Sequence, residues 1–298
     1  MAVPLPLYPA VRPPEPEDGG LLRDHLFRLQ PQVSELCFAN LFLFRHAHHY
    51  TLSLLDDSVI VFGRDYDGTA CFLPPLCGNR GAAARKLLDA GHQLYGADEA
   101  FLAEHLTGRG YSLVEDRDND DYLYLKSDLA TLSGARFRTK RNRIQHFTSR
   151  HRYVVEPFSS THVTASLHLL DNWFRHHDND GTRSLQPELA ASREGLERAE
   201  ELGLFGVVVR LDDGIAAFAL GERLNDTTAV CLFEKADPAM DGASQLVNRE
   251  FCRLLPPECS HVNREQDLGK PGLREAKRSY HPVAMVRKFR VFPRSPAS

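Results

Sequence analysis

The densest concentration of side chains able to do chemistry lies in residues 261–282, HVNREQDLGKPGLREAKRSYHP. A short strand is expected to end near Asn263. The polar, Gly- and Pro-containing run after it leads into a helix carrying Arg274, Lys277 and Tyr280. Loops on a rigid scaffold are where binding groups gather. Arg274 and Lys277 are three residues apart, so they share a helix face and can both reach an anionic group. Asp267 is placed to orient one of them, while Gly269 and Gly272 would let backbone approach a ligand. Read as structure alone, the same run is an ion-pair loop that fixes the last helix.

A second chemical feature is the cationic run RFRTKRNRIQHFTSRHR at residues 136–152, which holds seven Lys or Arg and no acid. Ile144 and Phe147 would anchor a helix there, leaving Lys140, Arg141, Asn142 and Arg143 on a broad polar face. Such a face attracts phosphates, whether of RNA, lipid head groups or a nucleotide. The competing reading is a solvated linker helix paired with the acidic residues 115–121. His46, His48 and His49, and His176, His177 and Asp178, lack a complete ligand set at metal-binding spacing, so no metal is expected. Trp173 falls in an apolar helical stripe and reads as core. No nucleophile elbow, phosphate-binding loop or dinucleotide fingerprint is present.

The elements that must position these groups repeat. YTLSLLDDSVIVFG (50–63) followed by TACF (69–72) is echoed by GVVVRLDDGIAAFALG (206–221) followed by TAVCLF (228–233). Each block is an apolar β-branched run, an Asp-Asp turn, a second apolar run ending in Gly, a polar loop and a third strand. Asp213-Gly214 is a tight-hairpin signal. The offset is about half the chain, as a duplicated domain requires. Helical spacing appears at Val163, Leu167, Leu170 and Phe174, from Pro187 to Gly203, and at Val247, Phe251 and Leu254. Residues 283–292 would close the second half as a strand. The fold class is therefore α/β (α+β), with mixed sheets and helices on both faces. The expected division is a flexible Pro-rich leader at 1–19, one domain at 20–155 that includes the basic helix, and a second at 156–298.

Bulk composition agrees with two ordinary domains. The chain has 298 residues, 42% hydrophobic and 26% charged, with a net charge of −4 that by itself points to no polyanion partner. There is no secretory signal and no run of about 20 apolar residues. The six cysteines show no CxxC pair, so reduced thiols and a cytoplasmic location are expected.

Residues 263–269 (NREQDLG), 272–277 (GLREAK) and 279–282 (SYHP) resemble the signature of a bacterial family of unknown function. That family is similar to the C-terminal domain of phosphatidylglycerol lysyltransferases. Residues 34–42 (SELCFANLF), 140–144 (KRNRI) and 245–251 (QLVNREF) fit the same family, and the resemblance spans roughly residues 20–292. It implies two tandem GNAT-like acyltransferase domains and kinship with Fem-type enzymes, which move an aminoacyl group from aminoacyl-tRNA to a lipid or peptidoglycan acceptor. Taken with the motif, the candidate substrate-binding residues are Asn248, Asn263, Arg264, Asp267, Gly269, Gly272, Arg274 and Lys277. Acyl transfer needs a proton acceptor and a group for the developing oxyanion or leaving group. Glu234 is the candidate base, and Tyr280 stands where this fold often keeps its acid.

Coenzyme A users of this fold cradle the pyrophosphate in a Gly-rich turn before a helix. Here the turn is MDGASQL (240–246), with one Gly and the acid Asp241, so no cofactor is expected. The leading expectation is an acyltransferase using aminoacyl-tRNA, with a phosphatidylglycerol-like lipid or another amine or hydroxyl as acceptor. An acyl-CoA-dependent N-acyltransferase and a non-catalytic module binding polyanions or anionic lipid are the alternatives.

Overall fold

The computed structural model describes residues 4–177 and 185–293. In chain order the elements begin with α1 (Gly19–Leu29), α2 (Phe38–Leu43), β1 (Thr51–Leu55), β2 (Ser58–Arg64), β3 (Ala70–Phe72), α3 (Arg80–Asp89), β4 (Gln93–Asp98) and α4 (Glu99–His105). Next come β5 (Ser112–Glu115), β6 (Asp121–Leu125), α5 (Lys126–Thr131), α6 (Arg138–Thr148), β7 (Val154–Pro157), α7 (Val163–His177) and α8 (Leu185–Glu197). The remainder are β8 (Phe205–Leu211), β9 (Gly214–Arg223), β10 (Thr228–Ala236), α9 (Ala243–Leu254), β11 (His261–Asn263), α10 (Pro271–Arg278), β12 (Ala284–Val286) and β13 (Lys288–Phe292).

These form two compact units. The first takes the chain up to Asp121, then Gln266–Arg274 and the chain from Met285 on; the second takes Tyr122–Glu265 and Glu275–Ala284. The first unit holds a six-stranded sheet ordered β1-β2-β3-β4-β13-β5, and the second sheet runs β12-β6-β11-β10-β9-β8-β7.

The sequence repeat is a repeat of topology. In both sheets two Asp residues form the first hairpin loop, with Leu55 facing Ser58 and Leu211 facing Gly214. The third strand is antiparallel to the second, and a helix then returns the chain to a fourth strand parallel to the third, β4 beside β3 and β11 beside β10. Val59, Ile60 and Val61 are all buried in succession, as are residues 215–222, because both faces of the sheet are covered at these strands, whereas β5 is exposed throughout.

The fifth strands do not follow the expected division at 155/156. β6, from the first half of the sequence, pairs antiparallel with β11 in the second sheet. β13, at the end of the chain, lies between β4 and β5 in the first. Residues 283–292 therefore do not close the second half as one strand. Side chains fix the register of β13. Lys288 places its ammonium 2.6 Å from Glu35 and 2.7 Å from Asp121, with all three groups buried. Arg290 reaches Asp65, Asp67 and Asp116. The acidic residues 115–121 thus serve the cations of this unit, including Arg274 and Arg287. The Pro-rich start is also tied down over part of its length. Leu7 and Arg12 bridge to Leu54 and Leu52 of β1, and Arg12 pairs with Asp18 at 2.6 Å.

Candidate active site

In the second unit β10 runs beside β11 only from Thr228 to Val230 and then continues to Ala236 with no β11 residue alongside. Arg264, the first residue after β11, turns its guanidinium toward this stretch. Its Nη2 donates to both oxygens of Glu234, at 3.1 and 3.0 Å. Asn248, on the inward face of α9, donates from Nδ2 to Glu234 Oε2 at 2.8 Å. The Arg264 guanidinium lies 4.9 Å from the centre of the Tyr280 ring, and Lys140 Nζ lies 4.0 Å from it. Lys140 also donates to Ser279 Oγ at 2.6 Å.

Electrostatics follow from burial and neighbours. Burial opposes charge on Arg264, but Glu234 more than offsets it and pushes the guanidinium pKa up. Lys140 is pulled down to about 8 by burial, with Arg143 and Arg264 adding like-charge repulsion. Burial raises the Tyr280 hydroxyl, which therefore stays protonated at neutral pH. The thiols of Cys71 and Cys252 are pushed up to about 12 by burial, which leaves them inert as nucleophiles.

Three polar atoms of this cluster have no hydrogen-bond partner: Tyr280 Oη, Arg264 Nη1 and Asn248 Oδ1. Tyr280 is 5% exposed and Asn248 1%. Buried donors and acceptors are paired almost everywhere in native proteins, and each orphan costs about 1–3 kcal/mol. These three lie along one chain of contacts that runs Tyr280, Arg264, Glu234, Asn248.

Glu234 also lines a cleft of about 380 Å³ with Arg143, Trp173, His177, Asp241 and Gly242 among the other lining residues. Trp173 is not core: it is half-buried in the cleft wall, stacked on His177 at 4.2 Å, with Lys235 Nζ 4.2 Å from its ring centre. Lys235 pairs with Glu188, which leaves Glu234 to Arg264 and Asn248. Gly242 precedes α9 with φ 97°, and a Cβ there would meet the Arg143 carbonyl oxygen at 2.1 Å. Asp241 stands 3.7 Å from Arg143, so the turn offers an ion pair where a pyrophosphate would need donors.

The residues singled out from the sequence divide between the units. Asn263, Arg264, Lys277 and Tyr280 join Glu234, Asn248 and Lys140 in the second. Asp267, Gly269, Gly272 and Arg274 belong to the first. There Asp267 is fully buried and accepts from Arg274 at 2.8 and 2.9 Å and from the Gly269 amide at 2.9 Å, with Arg117 at 3.5 Å. Arg274 bonds Asp118 as well, so this set is the ion-pair loop of the structural reading. Gly269 has φ 70° and faces Asp118, whereas Gly272 faces open space. Lys277 does not share a task with Arg274. Its ammonium donates to the carbonyls of Arg264 and Glu265, and Tyr124 Oη donates to the Lys277 carbonyl. Asn263 accepts from the Glu265 amide at 2.8 Å, shaping the turn that aims Arg264.

The cationic run does form α6 on Ile144 and Phe147, both buried, but its side chains part company. Lys140 turns inward, Arg141 donates to the carbonyls of Leu132 and Gly134, and Arg143 meets Asp241. Arg138, Asn142 and Arg152 remain exposed. No sequence signal marked Trp173 as a cleft residue, because an amphipathic stripe looks the same whether it is covered or left half open. Among the described residues no group of three His, Cys, Asp or Glu could hold a metal ion, and Asp178 lies outside them.

Residues 26–292 match the family described as phosphatidylglycerol lysyltransferase, C-terminal. The chain belongs to that family. Its structure is similar to a protein of unknown function from Bacteroides thetaiotaomicron VPI-5482, 29% identical with a TM-score of 0.86, covering 94% of this chain and 98% of that one. It is also similar to the C-terminal domain of a putative lysylphosphatidylglycerol synthetase from Agrobacterium fabrum, at 13% identity and a TM-score of 0.63, covering 92% and 91%. L-PGS from Bacillus licheniformis follows, at 13% identity and 0.58, covering 85% and 91%. No curated protein matches the sequence significantly. The fold is thus the one these proteins share, two mixed α/β units of repeated topology, and the family points to an aminoacyl- or acyltransferase. Among the described residues no helix is long and apolar enough to cross a membrane.

Proposed function

We propose that the chain transfers an aminoacyl group from aminoacyl-tRNA to a phosphatidylglycerol-like lipid or another amine or hydroxyl acceptor, at the Glu234 cluster of the second unit. The observation that supports it is the set of buried, unpartnered donors, Tyr280 Oη and Arg264 Nη1, beside a charged residue that opens on the cleft. In the reaction the acceptor nitrogen or oxygen attacks the ester carbonyl carbon. A new C–N or C–O bond forms, the bond to the terminal ribose oxygen breaks, the acceptor loses a proton and the ribose oxygen gains one. Negative charge grows on the carbonyl oxygen in between, and preorganised donors that cannot reorient stabilise it most.

Glu234 fits a positioning role better than that of the base first expected of it. Oε1 accepts from Arg264 and Oε2 accepts from Arg264 and Asn248, so the carboxylate is already engaged in aiming the guanidinium. Burial keeps Tyr280 protonated, and in this reading its hydroxyl donates with Arg264 to the carbonyl oxygen rather than serving as the leaving-group acid first expected of it. An acyl-CoA donor suits this cluster less well. Arg264 occupies the side of β10 beyond the end of β11, and the turn before α9 carries Asp241 and a single Gly.

The test is a titration of the chain with tRNA and with acetyl-CoA at low and moderate salt. We expect salt-sensitive tRNA binding and little acetyl-CoA binding. Because Arg141 holds backbone carbonyls, Arg138→Ala with Arg152→Ala is the pair that probes the exposed cationic face. Each lost phosphate contact should flatten the log–log salt slope by about 0.7–0.9. Tight, salt-insensitive acetyl-CoA binding without tRNA binding would promote the acyl-CoA reading. Polyanion binding with no transfer to any amine or hydroxyl acceptor would favour a binding module.

A further inference from the structure

The way Asn248 is held has a chemical consequence for the donor. Glu234, paired with Arg264, presents only acceptor oxygens, so the Asn248 amide must direct its NH₂ end to it, as the 2.8 Å contact does. The opposite end, Oδ1, is thereby fixed as an acceptor and cannot be turned into a donor without losing that bond. It is also buried and unpartnered. The cluster therefore holds two unpartnered donors, Arg264 Nη1 and Tyr280 Oη, and one unpartnered acceptor, Asn248 Oδ1, behind Glu234, the member of the cluster that lines the cleft.

We infer that Asn248 is the residue that selects for a free α-amino group on the transferred acyl unit, its Oδ1 accepting from that group while Arg264 and Tyr280 meet the carbonyl oxygen. Two donors and one acceptor complement an α-aminoacyl ester, which has a carbonyl oxygen and an N–H-bearing substituent on the adjacent carbon. A plain acyl group supplies the first and leaves Asn248 Oδ1 buried and unpaired. A site built to hydrogen-bond a substrate N–H rejects the analogue lacking it more strongly than an apolar pocket rejects a missing methylene. The inference rests on the aminoacyl-transfer reading and names the atom that would distinguish aminoacyl from simple acyl donors.

Hydrolysis-stable 3′-alanylamino-3′-deoxyadenosine and its 3′-propionylamino counterpart differ only in the α-amino group. Calorimetric titration of the full chain with each is the test. The alanyl compound should bind about tenfold or more tighter, the factor expected when a buried acceptor is left unpaired. Asn248→Leu, of similar volume, should bring the two affinities together, chiefly by weakening the alanyl compound, with thermal melting as the check on folding. Glu234→Gln is the second variant. With an amide facing it, Asn248 is free to turn over, and discrimination should fall although Asn248 itself is intact. Equal binding of the two compounds by the unaltered chain, or discrimination that survives both substitutions, would overturn the role of Asn248 and leave aminoacyl transfer standing. Binding of neither compound at millimolar concentration would remove the aminoacyl reading and this inference with it.

Discussion

Replacing Lys288 by Met separates the electrostatics of the first unit from its packing, since the two side chains have similar stems and volume. Lys288 is fully buried between Glu35 and Asp121, and burial's penalty on its charge is more than offset by the two carboxylates, so its pKa is raised. Breaking a buried ion pair by removing one partner costs about 3–5 kcal/mol. The structure says where the cost falls. Asp121 keeps two donors, the amide and hydroxyl of Ser34 at 2.8 and 2.9 Å. Glu35 is already pushed up by burial, has one oxygen without a partner and loses its ammonium, so it is the group that takes up a proton. Protonating a carboxyl whose unfolded pKa is about 4.3 costs about 3.7 kcal/mol at pH 7 and about 1.6 kcal/mol at pH 5.5, at 1.36 kcal/mol per unit. A carboxyl whose folded pKa lies above its unfolded value binds more protons when folded, so this variant gains stability as pH falls. The assay is urea denaturation followed by circular dichroism at pH 7 and 5.5. With a slope of about 2 kcal/mol/M the midpoint should drop by about 1.5–2 M at pH 7 and by roughly 1 M less at pH 5.5. A drop under about 0.5 M at pH 7, or a gap that does not change with pH, would refute the reasoning.

Three further outcomes concern the candidate active site and the ion-pair loop of the first unit. Gly242→Ala should cost about 2 kcal/mol or more, a fall in melting temperature of several degrees, because φ 97° and the Arg143 carbonyl both oppose a Cβ. Gly272→Ala, which meets nothing within 4 Å in α10, should leave the melting temperature unchanged or raise it slightly. For Lys140, competitive labelling with acetic anhydride, read by peptide mass spectrometry, should reach half-maximal reactivity near pH 8. Exposed lysines should do so near 10.5, because the amine is neutral above its depressed pKa. A Lys140 profile matching theirs would mean that its ammonium is solvated and turned away from Tyr280.

Local physics is what the sequence carried. The two Asp-Asp hairpins, the apolar runs around them and the helix-return-strand that follows are all set by residues near one another in the chain. The duplication is therefore legible in the sequence. Ile144 and Phe147 announced α6 in the same way, and the spacing of residues 261–280 placed a strand, a loop and a helix where they occur. What the sequence could not decide was pairing between distant segments. A strand pattern specifies a face and a period but not a neighbour, so nothing local to β13 says that it lies beside β4. Its place follows from Lys288 meeting Glu35 and Asp121 across some 250 and 170 positions. The same limit applied to charge. Asp267 and Arg274 satisfy each other, and Arg141 is spent on carbonyls, whereas Arg264, one Arg among many in the string, is the one aimed at Glu234. Which polar groups are consumed by folding and which are left open depends on who faces whom, and only the tertiary structure fixes that.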